Sequence, residues 1–359
     1  MIRFFIFSVL IFGNACMHSD APKGAAKDKP ETIEQHTDQQ GIDQSLELDL
    51  SEEELLTKCS KYKIVGFGEP QHWVTNPQIF RIELFKKLHI KYGWNYFFTE
   101  THLFVASMVD SYINGLIDKP EKLSSYLMSS FRLPEMFEFI EWTRQQNKQL
   151  PLNKRIHILG WDGQETNWTY KKHPRKKLIE NFSRLVTKFF PRFDIKKIEK
   201  LYEQIGKMKF DRSDFTKWAN TRDKNSFSIM KEFIRVLPNE HFFLIGHNGH
   251  ITFAQYSWGR VTYLGHHLHN NYKYLSIGSD ILSGSIIKSE QPPFLEVKIF
   301  PRQDKQSHDV RVIIPTKTTK HITLDQPNNP KLMSTYGRHD ILVRFKKDKP
   351  SFIKSIDKW

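Results

Sequence analysis

Only two cysteines, Cys16 and Cys59, occur in the 359 residues, so neither a disulfide framework nor a cysteine-ligated zinc ribbon can be built. The chain also lacks the Gly-x-Ser-x-Gly elbow, the Ser-x-x-Lys pair, the Gly-x-x-x-x-Gly-Lys-Ser/Thr loop and any Cys-x-x-Cys. Common serine hydrolases of the α/β type and P-loop nucleotide-binding proteins are thereby excluded. No recognition helix, aromatic RNP pattern or zinc-finger spacing is present, and nucleic acid is not an expected partner. What is present is apolar and aromatic: 39% hydrophobic and 13% aromatic residues, enough to bury a substantial core.

The N-terminus reads as a targeting segment. Arg3 supplies charge, Phe4 to Phe12 is an apolar run too short to span a bilayer, and the small residues Gly13 and Ala15 precede Cys16. Residues 1–15 resemble a bacterial lipoprotein signal peptide. This implies lipidation of Cys16, membrane attachment through that lipid, and a place in the bacterial cell envelope. Residues 16–50 are polar, carry no apolar periodicity and read as a flexible tether. The folded domain is expected over 51–359, opening with a capping box at Ser51 and Glu54. Cys59, on the helix that follows, reads as a half-buried structural residue and not as a nucleophile.

From there strands and helices alternate. Lys63 to Phe67, Asn95 to Thr99, Arg155 to Leu159, His241 to Ile245 and Tyr274 to Ile277 read as strands. Helical patterns occupy the intervals, for example from the Asn76-Pro77 start to Gly93 and from Pro134 to Gln149. This alternation predicts an α/β fold with a mainly parallel central sheet and helices on both faces. Residues 294–300, 309–315 and 340–345 have period-two apolar patterns, predicting extra C-terminal β-strands on one edge. Between Lys171 and Arg235 nineteen Lys and Arg face eight Asp and Glu. That long helical stretch accounts for most of the net charge of +14 and predicts a basic helical cap over about 171–236, near the site.

Two strand ends carry the chemistry. Apolar runs stop at Gly68 and Gly246, and each delivers a histidine four residues later, His72 and His250. Open α/β sheets bind ligands at such carboxyl ends. Glu69, His72, His247, Asn248 and His250 gather there, and Glu100 ends the next strand. A histidine of near-neutral pKa can take a proton from water, and a carboxylate on its other nitrogen fixes the tautomer. The set therefore suits general-base hydrolysis. The same groups are ordinary ligands for a divalent metal, so a metal-dependent hydrolase or a metal- or haem-binding envelope lipoprotein is the alternative. A binding lipoprotein with a degenerate site is the third reading. The run His266, His267 and His269 reads as surface helix.

At these residues the chain resembles the erythromycin esterase family. The motifs run in order as Gly68-Glu69-Pro70-Gln71-His72, Arg81, Glu100, Gly160-Trp161-Asp162 and His247-Asn248-Gly249-His250, with a similar closing segment from Ile277 to Ser285. The likeness extends from Lys63 to Ile286. It implies hydrolysis of a small-molecule carboxylic ester or lactone by histidine-activated water, with no cofactor. By position His72 is the base, and Glu69 and Glu100 orient it or the water. His247, His250 and Arg81 polarise the carbonyl, while Asn248, Asp162 and Trp73 contact substrate. Trp73 stands where the family usually has glycine, and the cap is short and basic, so macrolide specificity is not carried over.

Overall fold

The computed structural model describes residues 48–70, 72, 75–120, 122–127, 133–164, 174–208, 215–253, 261–281, 284–287, 296–299, 310–314 and 339–345. The expected signal peptide, Cys16, the tether up to residue 47, and Trp73 lie outside them. The chain divides into two compact units, and every described residue belongs to one of these, Glu47–His321 with Thr335–Trp359.

A two-residue strand β1 (Leu48–Asp49) precedes the expected start at Ser51. Helix α1 (Glu52–Ser60) then opens with the capping box, in which the Ser51 hydroxyl accepts from the Glu54 amide and the Glu54 carboxylate accepts from the Ser51 amide. There follow β2 (Ile64–Glu69), α2 (Thr75–Tyr92), β3 (Tyr96–His102), α3 (Leu103–Ile113), α4 (Pro134–Gln149) and β4 (His157–Asp162). Gly93, with φ 71°, turns the chain out of α2 in the left-handed region. The helical stretch forms α5 (Arg175–Phe189), α6 (Ile195–Gly206) and α7 (Phe215–Val236). Strand β5 (Phe242–His247), short helix α8 (Asn248–Ile251), α9 (Leu264–Asn271) and β6 (Tyr274–Ile281) come next. The last strands are β7 (Gly284–Ile287), β8 (Glu296–Ile299), β9 (Val310–Ile314) and β10 (Ile341–Phe345).

The main sheet has the order β1-β9-β10-β6-β2-β5-β3-β4. From β10 to β4 every neighbouring pair is parallel, while β9 and β1 add antiparallel strands at one edge. The fold is α/β, with the C-terminal strands on an edge as the period-two pattern predicts. Strands β7 and β8 instead pair with each other in a separate sheet.

Strand periodicity divides the core into two layers. Val65, Phe67, Phe97, Phe243 and Ile277 pack against Leu56, Phe85, Leu88 and Phe139 of α1, α2 and α4. Phe98, Leu159, Phe242, Leu244 and Tyr274 pack on the other face against Leu178, Phe182, Tyr202, Ile229 and Phe233 of α5, α6 and α7. The expected cap is thus an amphipathic layer lying on the sheet, with Lys176, Lys177, Lys188, Lys196 and Lys200 exposed on its outer side. At the carboxyl edge Tyr202 of α6 and Arg222 of α7 reach the strand ends. Cys59 is fully buried, and burial pushes its thiol up to about 12, consistent with a packing role. Among the described residues no helix is long and apolar enough to cross a membrane.

Ser51→Ala removes the hydroxyl half of the capping box. Denaturant unfolding is expected to show a loss of about 1 kcal/mol with an unchanged slope.

Candidate active site

Four adjacent strands, β2, β5, β3 and β4, bring Glu69, His247, Glu100 and Asp162 to one edge of the sheet. Glu69 and His247 are direct register partners. Such crowding requires a glycine at 246: a Cβ there would lie 2.6 Å from the Trp161 ring and 3.1 Å from the Glu100 carboxylate. Asn248 holds the neighbouring strand end. Its Nδ2 donates to the Ser279 carbonyl at 2.8 Å and its Oδ1 accepts from the Ser279 amide at 3.1 Å. The Ser279 hydroxyl in turn donates to the Gly68 carbonyl at 2.6 Å. Asn248 therefore ties β5 to β6, with both ends of its amide engaged.

Two buried carboxylates organise the site, each met by a buried arginine from a different helical layer. Glu69 on β2 lies 3.0 Å from the Arg81 guanidinium of α2, whose Nη2 donates to Gln78. Glu100 on β3 accepts from Arg222 Nη2 of α7 at 2.8 Å and from the His247 amide at 2.9 Å. Arg222 also forks onto Asp162, with Nε to Oδ1 at 2.8 Å and Nη2 to Oδ2 at 3.0 Å. A planar guanidinium matched to two carboxylates is the geometry arginine provides and lysine does not. Tyr202 of α6 braces the same strand ends, donating to the Asp162 carbonyl at 2.9 Å and accepting from the Leu103 amide at 3.0 Å.

The three histidines sit in different electrostatic settings. His72, with a side chain 23% exposed, directs Nδ1–H to Glu69 Oε1 at 2.7 Å. Burial pushes its pKa down, but the hydrogen bond and charge of Glu69, with Glu100 behind, outweigh this and raise it. His250 directs Nδ1–H to Asp223 Oδ1 of α7 at 2.8 Å, and its Nε2 lies 3.4 Å from Glu100 Oε1. Burial is again outweighed, by Asp223 and Glu100, and the pKa is raised. His247 behaves oppositely. Burial and the neighbouring His72 push it down to about 3, so it is neutral at physiological pH. Its Nδ1 accepts from the Gly249 amide at 3.2 Å, and its ring edges onto His72 with centroids 5.5 Å apart. Burial also raises the Glu100 carboxyl, but His250, Arg222, His72 and the His247 amide together hold it down at about 2.

Of the residues expected from the sequence, Glu69, His72, Arg81, Glu100, Asp162, His247, Asn248 and His250 are described and lie around this edge, while Trp73 lies outside the described residues; three placements refine the expectation. Arg81 is completely buried behind Glu69, so it acts on the site through that carboxylate. Asp162 is engaged by Arg222, and Asn248 by Ser279. Two further site residues, Arg222 and Asp223, escaped the sequence reading because they lie in a stretch dense with solvated charge. A signal for them exists. The inward stripe of α7 runs Trp218 and Ala219, then Ile229 and Met230, then Phe233 and Ile234, and the Arg-Asp pair occupies a position where the stripe requires apolar residues. Among the described residues no three His, Cys, Asp or Glu side chains converge as metal ligands do. His266, His267 and His269 lie on α9 with partial or full exposure, as expected for surface helix.

No family profile and no curated protein matches the sequence. Solved structures do match the fold. A Bacillus cereus protein from structural genomics is 21% identical, with 85% of this chain and 94% of that chain covered and a TM-score of 0.60. A succinoglycan biosynthesis protein is 16% identical, covering 84% and 91%, with a TM-score of 0.58. An erythromycin esterase mutant in its open conformation is 13% identical, covering 84% and 95%, with a TM-score of 0.50. These likenesses establish a shared α/β architecture over most of each chain.

The depressed carboxyl of Glu100 links stability to acid. Its folded pKa of about 2 lies below its ordinary value of 4.5, so its contribution is complete above pH 4.5 and is lost as pH falls toward 2. Glu100→Gln is expected to flatten the fall in unfolding free energy across that window, measured by denaturant titration at successive pH values.

Proposed function

We propose that the protein hydrolyses a carboxylic ester or lactone of a small molecule with water activated by His72, as in the erythromycin esterase family. The observation that carries this reading is the Glu69–His72 dyad at 2.7 Å, set on a parallel strand end and backed by Arg81. With the Nδ1 proton directed to Glu69, the neutral ring carries its lone pair on Nε2. That nitrogen takes a proton from water as the oxygen attacks the carbonyl carbon, and Glu69 stabilises the imidazolium that forms. Arg81, 3.0 Å from Glu69, holds that carboxylate in place. On the Glu100 side, Arg222 and His250 supply positive charge that favours the developing oxyanion. His247, neutral and anchored to Gly249, packs against His72 and fixes where its ring stands.

The metal-ligand reading of these groups has less support, because the carboxylates are already occupied. Glu69 serves His72 and Arg81, and Glu100 serves Arg222 and the His247 amide. In this proposal residues 1–15 are removed, Cys16 carries the lipid, and the enzyme works at the bacterial envelope on a substrate that Trp73 helps to confine.

A panel of alkyl and aryl esters and lactones tests the reading. His72→Ala is expected to lower kcat/KM by at least about 100-fold with an unchanged circular dichroism spectrum and melting temperature. Equal rates for wild type and variant on every substrate would remove His72 from the chemistry.

A further inference from the structure

His72 and His250 are both paired with carboxylates, yet not alike. Among the described residues, Glu69 meets His72 at Nδ1 and Glu100 acts on the ring through its charge. His250 has a carboxylate on each side: Asp223 Oδ1 at 2.8 Å from Nδ1, and Glu100 Oε1 at 3.4 Å from Nε2. A neutral imidazole carries one proton, so it would leave a nitrogen lone pair facing a carboxylate. The imidazolium, with two N–H donors, satisfies both. The long contact to Glu100, an oxygen already held by Arg222, leaves Nε2–H only loosely engaged.

Asp223 is placed with unusual care for a helix residue. It is completely buried, its Oδ1 also accepts from the Leu264 amide at 2.9 Å at the start of α9, and its Oδ2 takes no hydrogen bond among the described residues. A buried carboxylate with an unsatisfied oxygen is costly unless cations offset its charge. Among the described residues, the charged and titratable groups facing His250 are Asp223 and Arg222 from α7, Glu100 from β3 and His247 from β5, with Tyr263 packed edge-on at 5.2 Å and Trp161 of β4 at 5.7 Å. Two carboxylates thus oppose one guanidinium and one neutral imidazole.

We infer that Asp223 is a positioning residue that holds His250 as an imidazolium, and that His250 Nε2–H donates the proton to the leaving alkoxide. The donor role rests on the hydrolysis proposed above. The steps balance. Water gives a proton to His72 Nε2 and its oxygen bonds to the carbonyl carbon. The bond from that carbon to the alkoxy oxygen then breaks, and the oxygen takes the proton of His250. Release of the His72 proton and uptake of one by His250 from solvent restore the site, leaving acid and alcohol. Sequence alone could not assign this division, since one half of the second dyad lies on α7.

Ring-nitrogen NMR of histidine-labelled protein tests the first half without any substrate. Wild type is expected to show both His250 nitrogens protonated at pH 7. Asp223→Asn keeps an acceptor for His250 and Leu264 but removes the charge, and is expected to lower the His250 midpoint by about 1 unit or more. Asp223→Glu keeps the charge and is expected to retain a raised midpoint, which also covers the case of an Asn variant that folds poorly. A neutral His250 at pH 7 in wild type, or an unmoved midpoint in Asp223→Asn, would overturn the pairing. The second half is read from matched esters. Asp223→Asn is expected to lose about 100-fold in kcat/KM on an alkyl ester, and at least tenfold less on a nitrophenyl ester, whose leaving group needs no proton. Equal losses on both would overturn the donor role. A wild type that cleaves neither ester would overturn the hydrolysis and the donor role together, while the titration alone still decides whether Asp223 holds the imidazolium.

Discussion

Charge burial at the carboxyl edge is the constraint from which the rest of the structure follows. Glu69 and Glu100 are carried on strands whose preceding residues are all buried, and at 1% and 3% exposure they cannot be solvated by water. An isolated buried carboxylate is too costly to remain charged, so each requires a cation fixed by the fold. Arg81 and Arg222 meet that requirement from opposite faces of the sheet. The helical layers on both sides are therefore parts of the site as well as covers for the core. Loss of either arginine would leave a buried charge without its partner, a change that typically costs about 3–5 kcal/mol.

The carboxylates in turn give the histidines distinct characters. Three imidazoles stand within one cluster, yet His247 is held neutral, His72 meets Glu69 at Nδ1, and His250 lies between Asp223 and Glu100. Separation of proton affinities among neighbouring groups of the same type is how a single site can present a base and an acid at one pH. Here the separation comes from geometry: which strand each ring follows, and how many carboxylates converge on it. The glycine at 246 is what lets Trp161 and Glu100 approach β5 closely enough for this to happen.

Much of this was legible in the sequence, for identifiable reasons. Alternating strands and helices reveal the parallel sheet because each buried strand is a short apolar run bounded by turn residues. Glu69, His72, Glu100, His247 and His250 stand out because polar groups directly after such runs have nowhere else to gather. What stayed hidden depends on tertiary contact. The stretch from Lys171 to Arg235 looks like solvated charge, and only its docking on the second face shows that Arg222 and Asp223 point inward. Asn248 and Asp162 read as substrate contacts, whereas their amide and carboxylate are engaged by Ser279 and Arg222. The pairing of β7 with β8, separate from the main sheet among the described residues, also could not be foreseen, since period-two alternation gives the face of a strand but not its partner.

In the proposed hydrolysis the Glu69–His72 dyad activates water for attack on an acyl carbon. A crystal structure with a phosphonate ester, whose tetrahedral centre imitates the species formed by that attack, tests it most directly. A phosphonyl oxygen is expected within about 3 Å of His72 Nε2, with the opposite oxygen turned toward Arg222 and His250. A phosphonate bound away from these side chains, or a His72 ring with Nε2 turned from it, would remove the dyad from the chemistry.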